Sequence, residues 1–279
     1  PRLQSMPDTA SVWLATAVAA AVLLLGCHGA AGLVITPTQT SQEFRGQTYA
    51  SAVTMKLGST RELTFVDCTF NGGAVSVVRD SNVGLVLVNV SFVNCVFGHH
   101  LSVRANFRGG GVNLINTSID SATKGLSVIS ETQLNSAQLW VIDSSITAQD
   151  EAVVMNAIQT SNATVRFITS NITSKSTTAS TFTITAVQMK GSEFLLQSSR
   201  VVKTNGNENN LVSDGGSTWT HSNFVIMRSE FVGADDSIRI AHGFRTSAFS
   251  MLNSFIKCND DGVTLNAGGQ FDSGSNITM

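Results

Sequence analysis

Charge is scarce in this chain. Asp, Glu, Lys and Arg make up 13% of its 279 residues and the formal net charge is -2, against roughly 25% charged residues in a typical globular protein. Nucleic-acid binding needs clustered Lys and Arg to neutralise phosphates, so no nucleic-acid partner is expected. Proline is nearly missing, with 3 residues, and 1 Tyr stands beside 15 Phe. Aromatic rings without a hydroxyl suit a dry interior, where a phenol would need a hydrogen-bond partner. The 4 cysteines are too few for a disulfide scaffold, and no spacing among them fits a zinc site. What is abundant is Ser, Thr, Asn and Gly, on top of a hydrophobic content of 42%. That is ample for a core and too high for disorder.

The amino-terminal end stands apart. Val12 to Leu25, VWLATAVAAAVLLL, is a run of 14 residues that leads into Gly26-Cys27-His28-Gly29-Ala30-Ala31. It is short for a membrane span of about 20 residues but fits a secretory h-region with small residues at a cleavage site. Residues 1–31 are therefore read as a signal-peptide region, although Arg2 is the lone basic residue ahead of the run. Two alternatives are a retained helix and a bacterial lipobox, which Leu24-Leu25-Gly26-Cys27 resembles. Once a signal is removed, Cys68, Cys95 and Cys258 remain.

From residue 61 onward one eight-residue pattern recurs. It begins as LTFVDCTF at Leu63 and returns as VSFVNCVF from Val90, VNLINTSI from Val112, LWVIDSSI from Leu139 and VRFITSNI from Val165. FLLQSSRV from Phe194, FVIMRSEF from Phe224 and FSMLNSFI from Phe249 follow, and a ninth copy opens near Asn276. The copies lie 22 to 30 residues apart, a spacing that marks a repeat architecture. Each is followed by a shorter alternating segment such as Val75-Ser76-Val77, Leu101-Ser102-Val103 or Phe182-Thr183-Ile184. Alternation in β-branched and aromatic residues means strands, and the Gly-, Asn- and Ser-rich spacers supply turns.

A unit of this size cannot bury its own apolar face, but stacking it on its copies can. Equivalent strands then pair in parallel at about 4.8 Å, and the first, third and eighth motif positions become inward ladders. The expected fold is all-β, a right-handed parallel β-helix (β-solenoid) of about eight to nine coils over 61–279. Residues 32–60, which hold no clear copy, are expected to cap it. The last copy is cut off after a few residues, which predicts a fragment of a longer protein. Propeller blades and leucine-rich repeats have different spacings.

The repeat resembles the pectin-lyase-like superfamily of parallel β-helices, over roughly residues 60 to 279. Its texture also resembles the kinetoplastid dispersed-gene-family surface proteins, which would imply a secreted, glycosylated surface molecule. The segment NDDGVTLNAGG from Asn259 resembles the Asp-Asp segment of polygalacturonases. By that resemblance Asp260 and Asp261 match the family's catalytic pair, while the accompanying Asn-Thr-Asp, Gly-His-Gly and Arg-Ile-Lys elements are missing.

The stacked register itself also brings acidic residues together. The residues two before each short strand, among them His99, Lys124, Glu151, Asp236 and Asp261, would form a column, and Asp235-Asp236 would face Asp260-Asp261 one coil away. Such a quartet is a candidate for general acid and base in glycoside hydrolysis or for holding Ca²⁺ through oxygen ligands; the competing reading is a solvated turn, with no cofactor. Cys68 and Cys95 share a motif position in neighbouring coils, at a separation that permits a disulfide and equally suits two stacked thiols. Sequons place candidate glycans at Asn89, Asn116, Asn162, Asn171 and Asn276. His99-His100 reads as a turn and Gly109-Gly110-Gly111 lacks the Lys and helix of a phosphate loop.

The functional expectation is a non-catalytic glycoprotein, secreted or at the cell surface, that acts as an adhesin or carbohydrate-contact surface. Its partners would be glycans or surface proteins of another cell, with a membrane reached only through an anchor outside this stretch. The alternatives are a polysaccharide-active enzyme using the Asp quartet and a structural stalk.

Overall fold

The computed structural model describes residues 32–37, 39–58, 61–79, 86–130, 132–214, 216–233, 237–241, 243–265 and 274–279. The signal-peptide reading of residues 1–31 falls outside them. Among the described residues there is no helix; every regular element is a strand, and the strands form sheets of 10, 15 and 9 members, here A, B and C. All their pairings are parallel, each strand lying against its counterpart in the next copy of the repeat. The chain is a parallel β-helix.

The motif forms one strand of sheet B, a corner and a strand of sheet C. Glu62–Val66 pairs with the next copy as Leu63↔Val90 and Phe65↔Phe92, and Thr69–Phe70 pairs as Phe70↔Phe97. The first, third and eighth positions point inward as expected: Leu63 and Phe65 are 0% exposed and Phe70 is 1% exposed. The alternating segments that follow each copy make sheet A, with Val75, Leu101, Leu126, Val153, Phe182, Leu211, Ile238 and Val263 in one register.

Phenylalanine fills the interior as stacks. Phe44, Phe65 and Phe92 lie face to face with centroids 5.0 and 5.2 Å apart. A second stack of Tyr49, Phe70 and Phe97 at 4.7 Å per step meets the first edge-on. Stacked within a column and edge-to-face between columns, the rings satisfy both favoured aromatic geometries.

Two features go beyond the sequence reading. Residues 32–60 contribute a coil of their own, because Gln42 pairs with Leu63, Phe44 with Phe65 and Tyr49 with Phe70. The copy is obscured by Gln42 at a position that is apolar elsewhere. A further short strand also appears in later coils, as in Gln133–Asn135, Gln159–Ser161, Gln188–Lys190 and Thr218–Thr220. It joins sheet B beside the motif strand, through the ten-residue strand Asn106–Ile115 that pairs with both.

The fifth and sixth motif positions build the corner. Asp67, Asn94, Asn116, Asp143, Thr169, Ser198, Arg228 and Asn253, the fifth residue of successive copies, all have φ between 47° and 55°. A left-handed conformation costs roughly 1–2 kcal/mol for most residues and is best tolerated by Asn and Asp. The sixth residue offsets this cost: it points inward, and from Cys95 to Ser229 the backbone N–H of each donates to the hydroxyl of the next. Thr117 N–H donates to Ser144 Oγ at 3.1 Å, Ser170 N–H to Ser199 Oγ at 3.0 Å and Ser199 N–H to Ser229 Oγ at 3.2 Å. The small polar residue of the motif thus satisfies a buried donor that a turn would leave unpaired. Cys68 and Cys95 hold the first two rungs of this ladder.

Candidate functional site

The outer face of sheet B carries an organised side-chain array. Outward-pointing residues of adjacent coils are in register, so a side chain reaches its counterpart a rung away without leaving the sheet. Asn113 Nδ2 donates to Ser91 Oγ at 3.1 Å and Gln138 Nε2 donates to Asn113 Oδ1 at 2.9 Å. Trp140 Nε1 donates to Thr164 Oγ1 at 3.0 Å, the Arg166 guanidinium lies 5.8 Å from the indole centroid, and Arg166 Nε donates to Glu193 Oε1 at 2.9 Å. These groups are half-buried, apart from the buried Asn113. Each is held in one orientation by its neighbour.

Beside this polar row runs an apolar one. The fourth motif position is apolar in the early copies yet points outward, and Val66, Val93, Ile115, Ile142 and Ile168 form a continuous half-buried stripe in register. Motif counting alone left this position unexplained. Comparing the second and fourth residues of successive copies would have exposed both rows, because strand alternation puts them on the solvent side.

The acidic turn is less organised. Asp260 and Asp261 are exposed ahead of Val263–Leu265, while Asp235 and Asp236 lie outside the described residues. Of the expected column, Lys124 Nζ sits 3.2 Å from Glu151 Oε2, and the Asp261 carbonyl accepts from Ser237 N–H at 3.0 Å. Among the described residues no group of three His, Cys, Asp or Glu side chains could hold a metal ion. His99 and His100 are half-buried in the turn before Leu101. Burial, and secondarily His99, lowers the pKa of His100 from its ordinary value.

Of the sequon asparagines, Asn116, Asn162, Asn171 and Asn276 are exposed, whereas Asn89 is half-buried with an unpaired Oδ1. Cys68, Cys95 and Cys258 are free thiols.

No protein-family model matches the chain, and no curated protein matches it. Among solved structures it is similar to pectate lyase Pel9A, at 10% identity and a TM-score of 0.26, over 80% of this chain and 72% of that one. It is also similar to the catalytic domain of a GH87 α-1,3-glucanase in complex with nigerose, at 10% identity and a TM-score of 0.24, over 86% of this chain and 64% of that one. The architecture rests on the strand pairing alone.

One buried charge serves the scaffold. Lys203 is 2% exposed and takes a column position held by Ser121, Ala148 and Ser174 in earlier coils. Its Nζ donates to the carbonyls of Ser176, at 2.7 Å, and Ala179. The amine thereby ties down the turn that links sheets C and A. Burial lowers its pKa below the ordinary lysine value, against weaker opposing effects of Glu208, Asp150 and Glu151. Between the lowered folded value and the ordinary unfolded one, the unfolded chain binds the extra proton, so this group makes stability rise with pH there. The urea midpoint of the wild type is therefore expected to gain on that of Lys203→Met as pH is raised toward the ordinary lysine pKa. A constant difference between the two would contradict this role.

Proposed function

We propose that this chain is a secreted or surface-exposed, non-catalytic β-solenoid that contacts glycans through the outer face of sheet B. The observation that carries the reading is the pairing of two rows on one face: the fixed donors and acceptors from Ser91 to Gln138, and the aliphatic stripe from Val66 to Ile168. Sugars present hydroxyl edges and C–H faces. Side-by-side polar and apolar rows match both, and donors already held in place lose little freedom on binding. The low charge of the chain suits neutral glycans better than acidic ones.

A glycan array followed by calorimetry tests this with the full chain. Binding to neutral oligosaccharides is expected, weakened by at least about tenfold, or about 1.4 kcal/mol, in Trp140→Ala and Gln138→Ala. Arg200→Ala, on sheet C, should bind as the wild type does. A blank array would favour the stalk. Cleavage of a polysaccharide that is lost in Asp261→Asn would replace the proposal with the enzyme reading.

A further inference from the structure

Cys68 and Cys95 are the two thiols in a corner ladder that Thr117, Ser144, Ser170, Ser199, Ser229 and Ser254 continue with hydroxyls. Their flanking residues pair one-to-one, Val66 with Val93 and Thr69 with Val96. The two α-carbons therefore lie about one strand spacing apart, near 4.8 Å, inside the range of roughly 4.4 to 6.8 Å that a disulfide spans. Both side chains point into the same corner and are 1% exposed.

Each sulfur occupies the site of a ladder hydroxyl. Cys68 Sγ lies 3.5 Å from the Phe44 carbonyl and 3.4 Å from that of Val66, and Cys95 Sγ lies 3.4 Å from the carbonyls of Phe65 and Val93. Thr117 Oγ1 meets the carbonyls of Phe92 and Ile115 in the same way, both at 3.0 Å. A serine in either rung would serve the corner equally well. What cysteine adds is a bond to its neighbour.

The geometry points to Cys68 and Cys95 as the site of a disulfide that staples the coil of VSFVNCVF to the coil of LTFVDCTF. The bridge forms by exchange with a small-molecule disulfide, such as oxidised glutathione, as these coils close. The Cys68 thiolate attacks one sulfur of that disulfide, making a mixed disulfide and expelling one thiolate, which takes up a proton. Cys95 then loses its proton and attacks Cys68 Sγ, expelling the second thiol. Two protein thiols are oxidised and one small disulfide is reduced to two thiols. In the closed corner hydrogen bonding from Cys95 pulls the Cys68 pKa down, and the same contact, together with burial, pushes that of Cys95 up. The thiolate is the nucleophile in such exchange.

The test refolds the full chain in a mixture of reduced and oxidised glutathione, blocks free thiols by alkylation under denaturing conditions, and maps the peptides by mass spectrometry. A peptide pair joined through Cys68 and Cys95 is expected, with Cys258 alkylated. The urea midpoint should fall on reduction of the wild type, whereas the Cys68→Ser and Cys95→Ser double variant, which keeps the corner hydroxyls, should fold and show no shift. Alkylation of both Cys68 and Cys95 in the folded wild type, or a bridge from either one to Cys27 or Cys258, would overturn the inference.

Discussion

Gly111→Ala is expected to destabilise the chain by about 4 kcal/mol or more, in the range that only a named local failure reaches. Gly111 has φ 139°, and a β-carbon there would stand 1.8 Å from the carbonyl oxygen of Gln138 in the next coil. It pairs with Gln138 on one side and Asn89 on the other. No side chain can move to relieve the clash, because the obstacle is backbone that is itself part of sheet B. The substitution would have to part the stack at this rung. Gly216→Ala is the control, since Gly216 also has a left-handed φ, 84°, but has nothing within 4 Å of the added carbon. It should cost only the conformational strain, about 1–2 kcal/mol. Urea denaturation of both variants followed by circular dichroism checks the pair, and equal midpoints would contradict the close approach at Gly111.

Phe65→Ala is expected to cost about 3–5 kcal/mol, the usual range for deleting a buried phenyl ring. Phe65 is 0% exposed and touches rings above, below and beside it: Phe92 at 5.2 Å, Phe44 at 5.0 Å, Phe70 at 5.6 Å and Tyr49 at 6.2 Å. The location of the damage matters as much as its size. In a solenoid each coil contacts mainly its neighbours, so stability is close to a sum of local terms. Amide hydrogen exchange should therefore accelerate in the strands from Ser41–Arg45 through Val96–Phe97 and stay slow in Phe182–Thr185 and Leu211–Asp214. Acceleration spread evenly along the chain would mean that the coils unfold as one unit, against this description.

The repeat and its inward ladders were legible because burial imposes a strict demand: the positions of Leu63, Phe65 and Phe70 stay apolar in all eight copies from Leu63 onward. The corner was only partly legible. An Asp or Asn followed by a small residue recurs within the motif without marking a corner there, and Thr169, Ser198 and Arg228 take the same left-handed backbone, which no residue preference of theirs announces. Their conformation is imposed by hydrogen bonds to the next coil, which no single copy reveals. The coil at 33–57 was hidden by one residue, Gln42, whose aliphatic stem takes a place held by Leu63 and Val90 above it. The candidate glycan face was hidden for a different reason. Ser91, Asn113 and Gln138 are ordinary polar residues on their own, and they become an array only when register stacks them; nothing in one rung's composition distinguishes them from a solvated surface.

All of this depends on equivalent residues of successive copies being neighbours across the whole stack. Register carries Ser91 to Ser250 through Asn113, Trp140, Arg166, Leu195 and Val225, a climb of about 29 Å at one strand spacing per rung. Paramagnetic labels placed at Ser91→Cys and Ser250→Cys, with Cys27, Cys68, Cys95 and Cys258 replaced by Ser in the background, measure that climb directly by pulsed electron resonance. The stacked coil predicts a single narrow distance distribution centred near that value, within the reach of the label side chains. A broad distribution, or one centred at half or twice that distance, would contradict it.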